Sequence, residues 1–260
     1  MVLERRLAES LLSFWAGAGV DSLYLDEPAD RMAEARAVRP APQGAAMVRD
    51  APAPVNNTGD GRALAWAASD LDALAAAIAE FDGCALKQQG ARQAVCWRGA
   101  PDAPVMIVGE APGAEEDAQG APFVGRAGKL LDKMLAAAGL EGRVLITNTV
   151  FWRPPGNRTP SPEEQLACAP FVERAIDIVR PKLLLFVGGA AAKAMLDRDE
   201  GILALRGRWF EWQARHTELE IPAMPTLHPA FLLRQPAAKK KAWSDLLTLV
   251  ERLDRGERPD

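Results

Sequence analysis

Histidine and cysteine are scarce in this chain, two and three residues respectively among 260. The cysteines lack paired spacing, which excludes a disulfide framework and fits a reducing compartment. Long hydrophobic runs are missing too. None approaches the roughly 18–20 residues that a membrane-spanning helix needs, so no membrane partner is expected. The opening residues MVLERRLAESLLSFW carry acids and lack a signal-peptide cleavage pattern. The expected location is the cytoplasm. Nor is there an excess of positive charge. A formal net charge of −4 argues mildly against nucleic acid as a partner, although the local field at the contact face decides that question. The basic residues do cluster, at Arg153 and Arg158, Arg206 and Arg208, Arg234, and Lys239–Lys241.

What is present is apolar material, 48% of the residues, enough for a sizeable core. Residues 1–26 read as a helical extension, with Leu3, Leu7, Leu11 and Phe14 at helical spacing. Residues 27–67 read as a linker, rich in alanine and proline (Pro28, Pro40, Pro42, Pro52, Pro54) and without periodicity. An α/β domain is expected over 68–255. Its first helix is expected to start at Ser69, with a stripe of Leu71, Leu74, Ile78 and Phe81 closed by Gly83. Four short apolar runs then alternate with helical patterns: PVMIV (104–108), RVLIT (143–147), LLLFV (183–187) and AMPTL (223–227). The intervening helices are expected over 126–140, over 161–179 with Ser161 as cap and a kink at Pro170, and over GAAAKAML. A last helix is expected from Pro236 to Leu253. Short apolar strands alternating with helices predict a three-layer α/β/α fold around a central, mostly parallel sheet.

In such sheets ligands bind beyond the carboxyl ends of the strands. The four runs are followed by Gly109-Glu110, Asn148, Gly188-Gly189 and His228-Pro229. An acid, an amide, a glycine turn and an imidazole would therefore share one rim. The stretch VGEAPGAEEDAQGAPFVG (108–125) adds Glu115, Glu116, Asp117 and the ring of Phe123. Its GEAPG turn lacks the lysine-serine pair of a phosphate loop and the glycine spacing of a dinucleotide site.

Three long blocks, GEAPGAEEDAQGAPFVGRAGKLLDKML, ITNTVFWRPPGNRTPSPEE and LHPAFLLR, resemble the signature blocks of the uracil-DNA glycosylase superfamily, closest to its family-4 bacterial and archaeal enzymes. The resemblance covers about residues 80–250. It implies base flipping followed by hydrolysis of the N-glycosidic bond of uracil in DNA, single- or double-stranded, by a monomer. The sugar becomes cation-like as the bond breaks, so carboxylates beside it would stabilise the cation and orient water. By motif position that work falls to Glu116 and Glu110. Phe123 would stack on the flipped base, Asn148 would read uracil N3–H and O4 together, and His228 would donate to uracil O2. Backbone groups of Gly109 and Ala111 in the turn would share that oxygen. Asn157 matches a family position near the substrate. Arg153, Arg158 and Arg234 are expected on DNA phosphates, and Leu232 or Leu233 in the gap left by the flipped base.

The resemblance also implies a four-cysteine iron–sulfur cluster, and here the sequence departs from the pattern. Cys84 and Cys168 match the first and last ligand positions, whereas Lys87 and Trp152 stand at the other two and Cys96 fits none. No cofactor or metal is expected, with Trp152 and its apolar neighbours filling the space. One branch of the superfamily traps DNA through a histidine on a basic insertion. The segment RPPGNRTPSPEE has neither, so turnover is expected. The competing readings are a non-catalytic lesion-binding relative and a small-molecule hydrolase on the same scaffold.

Overall fold

The computed structural model describes residues 58–255. The expected extension over 1–26, and the linker as far as residue 57, lie outside them. Residues 58–67 are not linker. Thr58–Ala67 forms helix α1, which packs against the long helix of the second block and buries Ala65 completely. Its two glycines and lack of periodicity hide it in the sequence, and tertiary burial overrides the weak local preference. Helix α2, Leu71–Glu80, follows, and its cap is Asp70 rather than Ser69. The Asp70 carboxylate accepts the Ala73 N–H at 2.8 Å, and Ser69 donates to that carboxylate.

The sheet has six strands in the order β1-β3-β2-β4-β6-β5. The four apolar runs supply β2 (Val105–Gly109), β3 (Val144–Asn148), β4 (Leu183–Val187) and β6 (Glu220–Thr226), all mutually parallel. Two strands escape the sequence reading, β1 (Trp97–Gly99) and β5 (Phe210–Gln213). Both are short, lack a continuous apolar run, and pair antiparallel at the two edges. The helices are α3 (Ala114–Gln119), α4 (Arg126–Ala137), α5 (Pro162–Val179), α6 (Gly189–Leu196), α7 (Ile202–Leu205), α8 (Pro229–Arg234) and α9 (Lys239–Arg255). Helix α5 carries the expected capping box of Ser161 and Glu164, and runs through Pro170.

Strand residues alternate between two cores. Met106, Val108, Leu145 and Phe186 face α1, α2 and α5, where Phe81 and Phe171 pack with ring centroids 4.9 Å apart. Val105, Ile107, Ile146 and Leu185 face Leu131 and Leu135 of α4 and Leu246 and Leu249 of α9. Each such burial contributes about 1.5–3 kcal/mol, and the two faces make the three layers. Because β2 connects to β3 on one side while the chain returns to β4 on the other, the loops diverge above β2. That divergence opens a crevice at the carboxyl edge.

One buried ion pair holds the last strand of that edge. Asp245 of α9 accepts Thr226 Oγ1 at 2.7 Å and Arg206 Nε at 3.1 Å, and Arg206 also donates to Lys241 O. Burial raises the Asp245 carboxyl above its usual range, against the opposing pull of Thr226 and Arg206. Removing one partner leaves a buried charge uncompensated. Arg206→Met is therefore expected to lower stability by about 3–5 kcal/mol, read as a shift of the urea midpoint at pH 7.

Candidate active site

The site is built from strand ends. Gly109 and Asn148 are register partners at the tips of β2 and β3. The turn after Gly109 is fastened to β3 twice, by Thr149 N–H to Gly109 O at 2.9 Å and Thr149 Oγ1 to Glu110 O at 2.7 Å. A Cβ on Gly109 would fall 2.5 Å from Asn148 Oδ1 and 2.5 Å from the ring of Phe123. Only glycine fits, and its absent side chain lets amide and ring meet over the backbone. Asn148 is 1% exposed, and neither its Oδ1 nor its Nδ2 has a hydrogen-bond partner among the described residues. An orphaned buried amide costs about 1–3 kcal/mol for each unsatisfied group.

His228 follows β6 and caps α8, its Nδ1 accepting the Ala230 N–H at 3.1 Å. With Nδ1 an acceptor, the neutral ring carries its proton on Nε2 and can donate it outward. Burial, with Arg234 adding to it, pushes the His228 pKa down to about 4, and Glu116 opposes the shift. The ring packs against Gly188, and its centroid lies 5.6 Å from that of Phe123. Phe123, Asn148, Gly109 and His228 thus form one cluster. Ala111 lies partly buried in the turn beyond Gly109.

The acids divide by partner. Glu116 accepts the Gly113 N–H at 3.1 Å through one oxygen and the Gly125 N–H at 2.9 Å through the other. Both oxygens are committed to backbone, so Glu116 ties the GEAPG turn to the loop that carries Phe123. This bracing part comes in addition to the expected one beside sugar and water, since each oxygen keeps a further lone pair. Its charge is also felt at His228. Asp117 braces the loop from below by accepting the Arg92 N–H at 2.8 Å. Glu110 makes no side-chain hydrogen bond or ion pair among the described residues and is partly exposed. Glu115 is also without such a bond, but it is exposed on α3, whereas Glu110 stands next to Gly109 at the tip of β2.

Among the expected DNA contacts, Leu232 is fully buried and is a packing residue, whereas Leu233 is 38% exposed. Adjacent residues on a helix point to different faces, and only the structure says which faces out. Arg158 is bound through both terminal nitrogens to the buried carboxylate of Glu164, at 2.8 and 2.6 Å. It braces the start of α5, although its side chain remains 43% exposed. Arg153 Nε donates to Asn157 Oδ1 at 2.7 Å, and Asn157 is exposed. Arg234 is exposed and close enough to depress the His228 pKa. A groove of about 610 Å³, between α5, α6 and β5, has mixed charges and shares none of the clustered side chains.

The model of the Uracil DNA glycosylase superfamily matches residues 96–247. The chain belongs to this superfamily. Among curated proteins it is 44% identical to the type-4 uracil-DNA glycosylase of Sulfurisphaera tokodaii, over 61% of this chain and 74% of that one. To the type-4 uracil-DNA glycosylase of Pyrobaculum aerophilum it is 40% identical, over 68% of this chain and 91% of that one. To that of Thermotoga maritima it is 42% identical, over 51% and 68%.

The family-4 resemblance implies an iron–sulfur cluster, and the residues present do not fit one. Cys84 and Cys168 are buried with their sulfurs 3.8 Å apart, and burial pushes the Cys168 thiol well above its ordinary range. Lys87, one 3₁₀ turn after Cys84, carries its ammonium to Ala79 O and Asp82, each at 2.7 Å. Trp152 is 2% exposed and stands edge-on to Phe151 at 6.3 Å. Two thiols, an outward lysine and a packed indole do not make a four-thiolate donor set.

The depressed His228 pKa has a consequence for acid stability. Between its ordinary value near 6.5 and about 4, the unfolded chain binds a proton that the folded one refuses. Stability must therefore fall as pH drops through that window, by at most about 1.4 kcal/mol per pH unit. His228→Gln is expected to flatten this part of the curve, measured by urea unfolding at pH 7, 6 and 5. Parallel curves for the two proteins would place the group's pKa at its ordinary value.

Proposed function

We infer that this chain is a uracil-DNA glycosylase, an enzyme that hydrolyses the bond between uracil and deoxyribose in DNA. Membership of the superfamily and the type-4 relatives support the activity. The observation that carries it to particular atoms is the Asn148 amide, buried with donor and acceptor both unmet. Uracil presents a donor at N3 and an acceptor at O4 side by side, which is the complement of that amide. Cytosine offers an acceptor and a donor in those places and would require the opposite orientation of the amide.

A chemical sequence follows from the cluster. The nucleotide leaves the stack, and its base enters between the Phe123 ring and the Asn148 amide. As the bond lengthens, charge collects on uracil O2, where the Nε2–H of neutral His228 and the backbone of the Gly109–Ala111 turn would meet it. A neutral donor suits this step, because it stabilises the anion without first drawing a proton from solvent. Glu110 would orient the attacking water and offset the cation-like sugar. Glu116 holds the loop and adds its charge at a distance. Exposed Leu233 is the residue left to fill the vacated stack, with Arg234 and Arg153 near the phosphates.

We further propose that the chain acts as a monomer on uracil-containing DNA, single- or double-stranded. Its three free cysteines fit the reducing cytoplasm. We also propose that it carries no iron–sulfur cluster. Protein purified without oxygen is expected to lack iron and acid-labile sulfide, and a brown protein with cluster absorption would overturn that point.

Activity is tested with uracil-containing oligonucleotides, alkali cleavage and gel separation. Intact strands after incubation with folded protein would defeat the assignment. The two acids are expected to part company in single-turnover assays. Glu110→Gln should lower the rate about 10²–10³-fold with little change in affinity for uracil DNA. Glu116→Gln places an amide N–H against a backbone N–H, opens the loop, and should weaken affinity as well as rate. A Glu116→Gln variant that loses rate alone would return the catalytic charge to that residue.

A further inference from the structure

Outside the cluster, one cation is spent almost wholly on a loop of the site. Arg98 lies on edge strand β1, opposite Ile146. Its Nε donates to Pro122 O at 2.7 Å and its Nη2 to Phe123 O at 3.1 Å, while Nη2 also pairs with Asp132 of α4 at 2.6 Å. The residue so gripped is in an unusual state. Phe123 has φ +55°, the left-handed region that bulky residues rarely adopt. Such a conformation persists only where the surroundings over-determine it, and it collects at sites that bind or react.

The surroundings here can be named. Arg98 holds the carbonyls of residues 122 and 123, and Glu116 holds the amide of Gly125. Opposite charges thus bind opposite ends of the peptide dipoles in one turn. Gly128 makes the third restraint, since a Cβ there would lie 1.6 Å from Phe123 O. The ring that results lies over Gly109 and beside His228.

We propose that Arg98 is a positioning residue for the reaction: by fixing the Pro122 and Phe123 carbonyls it sets the Phe123 ring at the stacking angle the flipped base needs. This rests on the uracil-excision reading of the site. It assigns to an edge strand a part in base selection that no strand-tip residue supplies. A guanidinium that only stapled β1 to α4 through Asp132 would affect stability and leave the ring's contribution untouched.

A double-mutant cycle separates the two roles. Single-turnover excision, affinity for uracil DNA and thermal midpoint are measured for the parent, Arg98→Met, Phe123→Ala and the double variant. Arg98→Met is expected to slow excision about 10-fold and to weaken binding with it. In the Phe123→Ala background the same change should cost less than about 2-fold, because the ring it positions is gone. Arg98→Lys, which keeps the charge but cannot fork across two carbonyls, should recover only part of the loss. Effects that multiply in the double variant would overturn the proposal, as would full recovery with lysine. Should Arg98→Met fail to fold, Asp132→Ala on the exposed face of α4 takes its place. It is expected to slow excision about 3-fold with the same dependence on Phe123, and independence there overturns the proposal too. A parent that folds but does not excise uracil would instead bring down the functional reading.

Discussion

The closeness of two strand ends governs the rim. Gly109 and Asn148 face one another across the β2–β3 ladder, and the glycine has no side chain to keep the amide and the Phe123 ring apart. Any substituent there would collide with both at 2.5 Å. The carbonyls of Gly109 and Glu110 both accept from Thr149, which fixes the turn to β3. A buried amide without a protein partner in such a place is a standing cost in the folded protein. The fold bears it because two hydrophobic cores, one on each face of the sheet, secure the strands from which the tips emerge.

The catalytic edge uses charge in an indirect way. The chain is acidic overall, yet several carboxylates of this edge are engaged within the protein. Glu116 is consumed by two backbone N–H groups, Asp117 by a third, and Glu164 by Arg158. Each acid so bound converts a loop into a fixed surface. The same economy applies to the cations, for Arg158 and Arg98 are engaged before DNA arrives, leaving Arg234 and the lysines of 239–241 exposed. Formal charge counts therefore say little about this partner.

How much of this could be read from the sequence depends on what kind of signal each part leaves. The four central strands are continuous apolar runs because both faces are buried, and they were legible with their tip residues. Strands β1 and β5 bury only part of one face and leave no run. Helix α1 carries two glycines and is held by its packing, which no local pattern reports. At the site, residue type and spacing brought Asn148, His228 and Phe123 to one rim. They could not tell which of two acids meets a backbone N–H, since Glu110 and Glu116 differ only in what the fold places beside them. Leu232 and Leu233 differ by one step around a helix. Arg98 was invisible for a plainer reason: its strand was not seen, and its partners lie 24 to 34 positions away.

On the proposal that no cluster is present, the region around Cys84 and Cys168 is held together by packing alone. In a four-thiolate site the cluster would cross-link the segment after α2, the loop before the proline turn and helix α5. Here the same three segments converge, and the contact is made by packing. Trp152 and Phe151 are buried from the second segment, Phe171 and Cys168 from the third, and Leu86 and Cys84 from the first. A buried indole contributes a large area with fixed geometry, and the bidentate Arg158–Glu164 pair closes the solvent side. Apolar contacts of this kind need neither an assembly step nor protection from oxygen. They also lie directly before the loop carrying Arg153 and Asn157, which buried Trp152 anchors at its start.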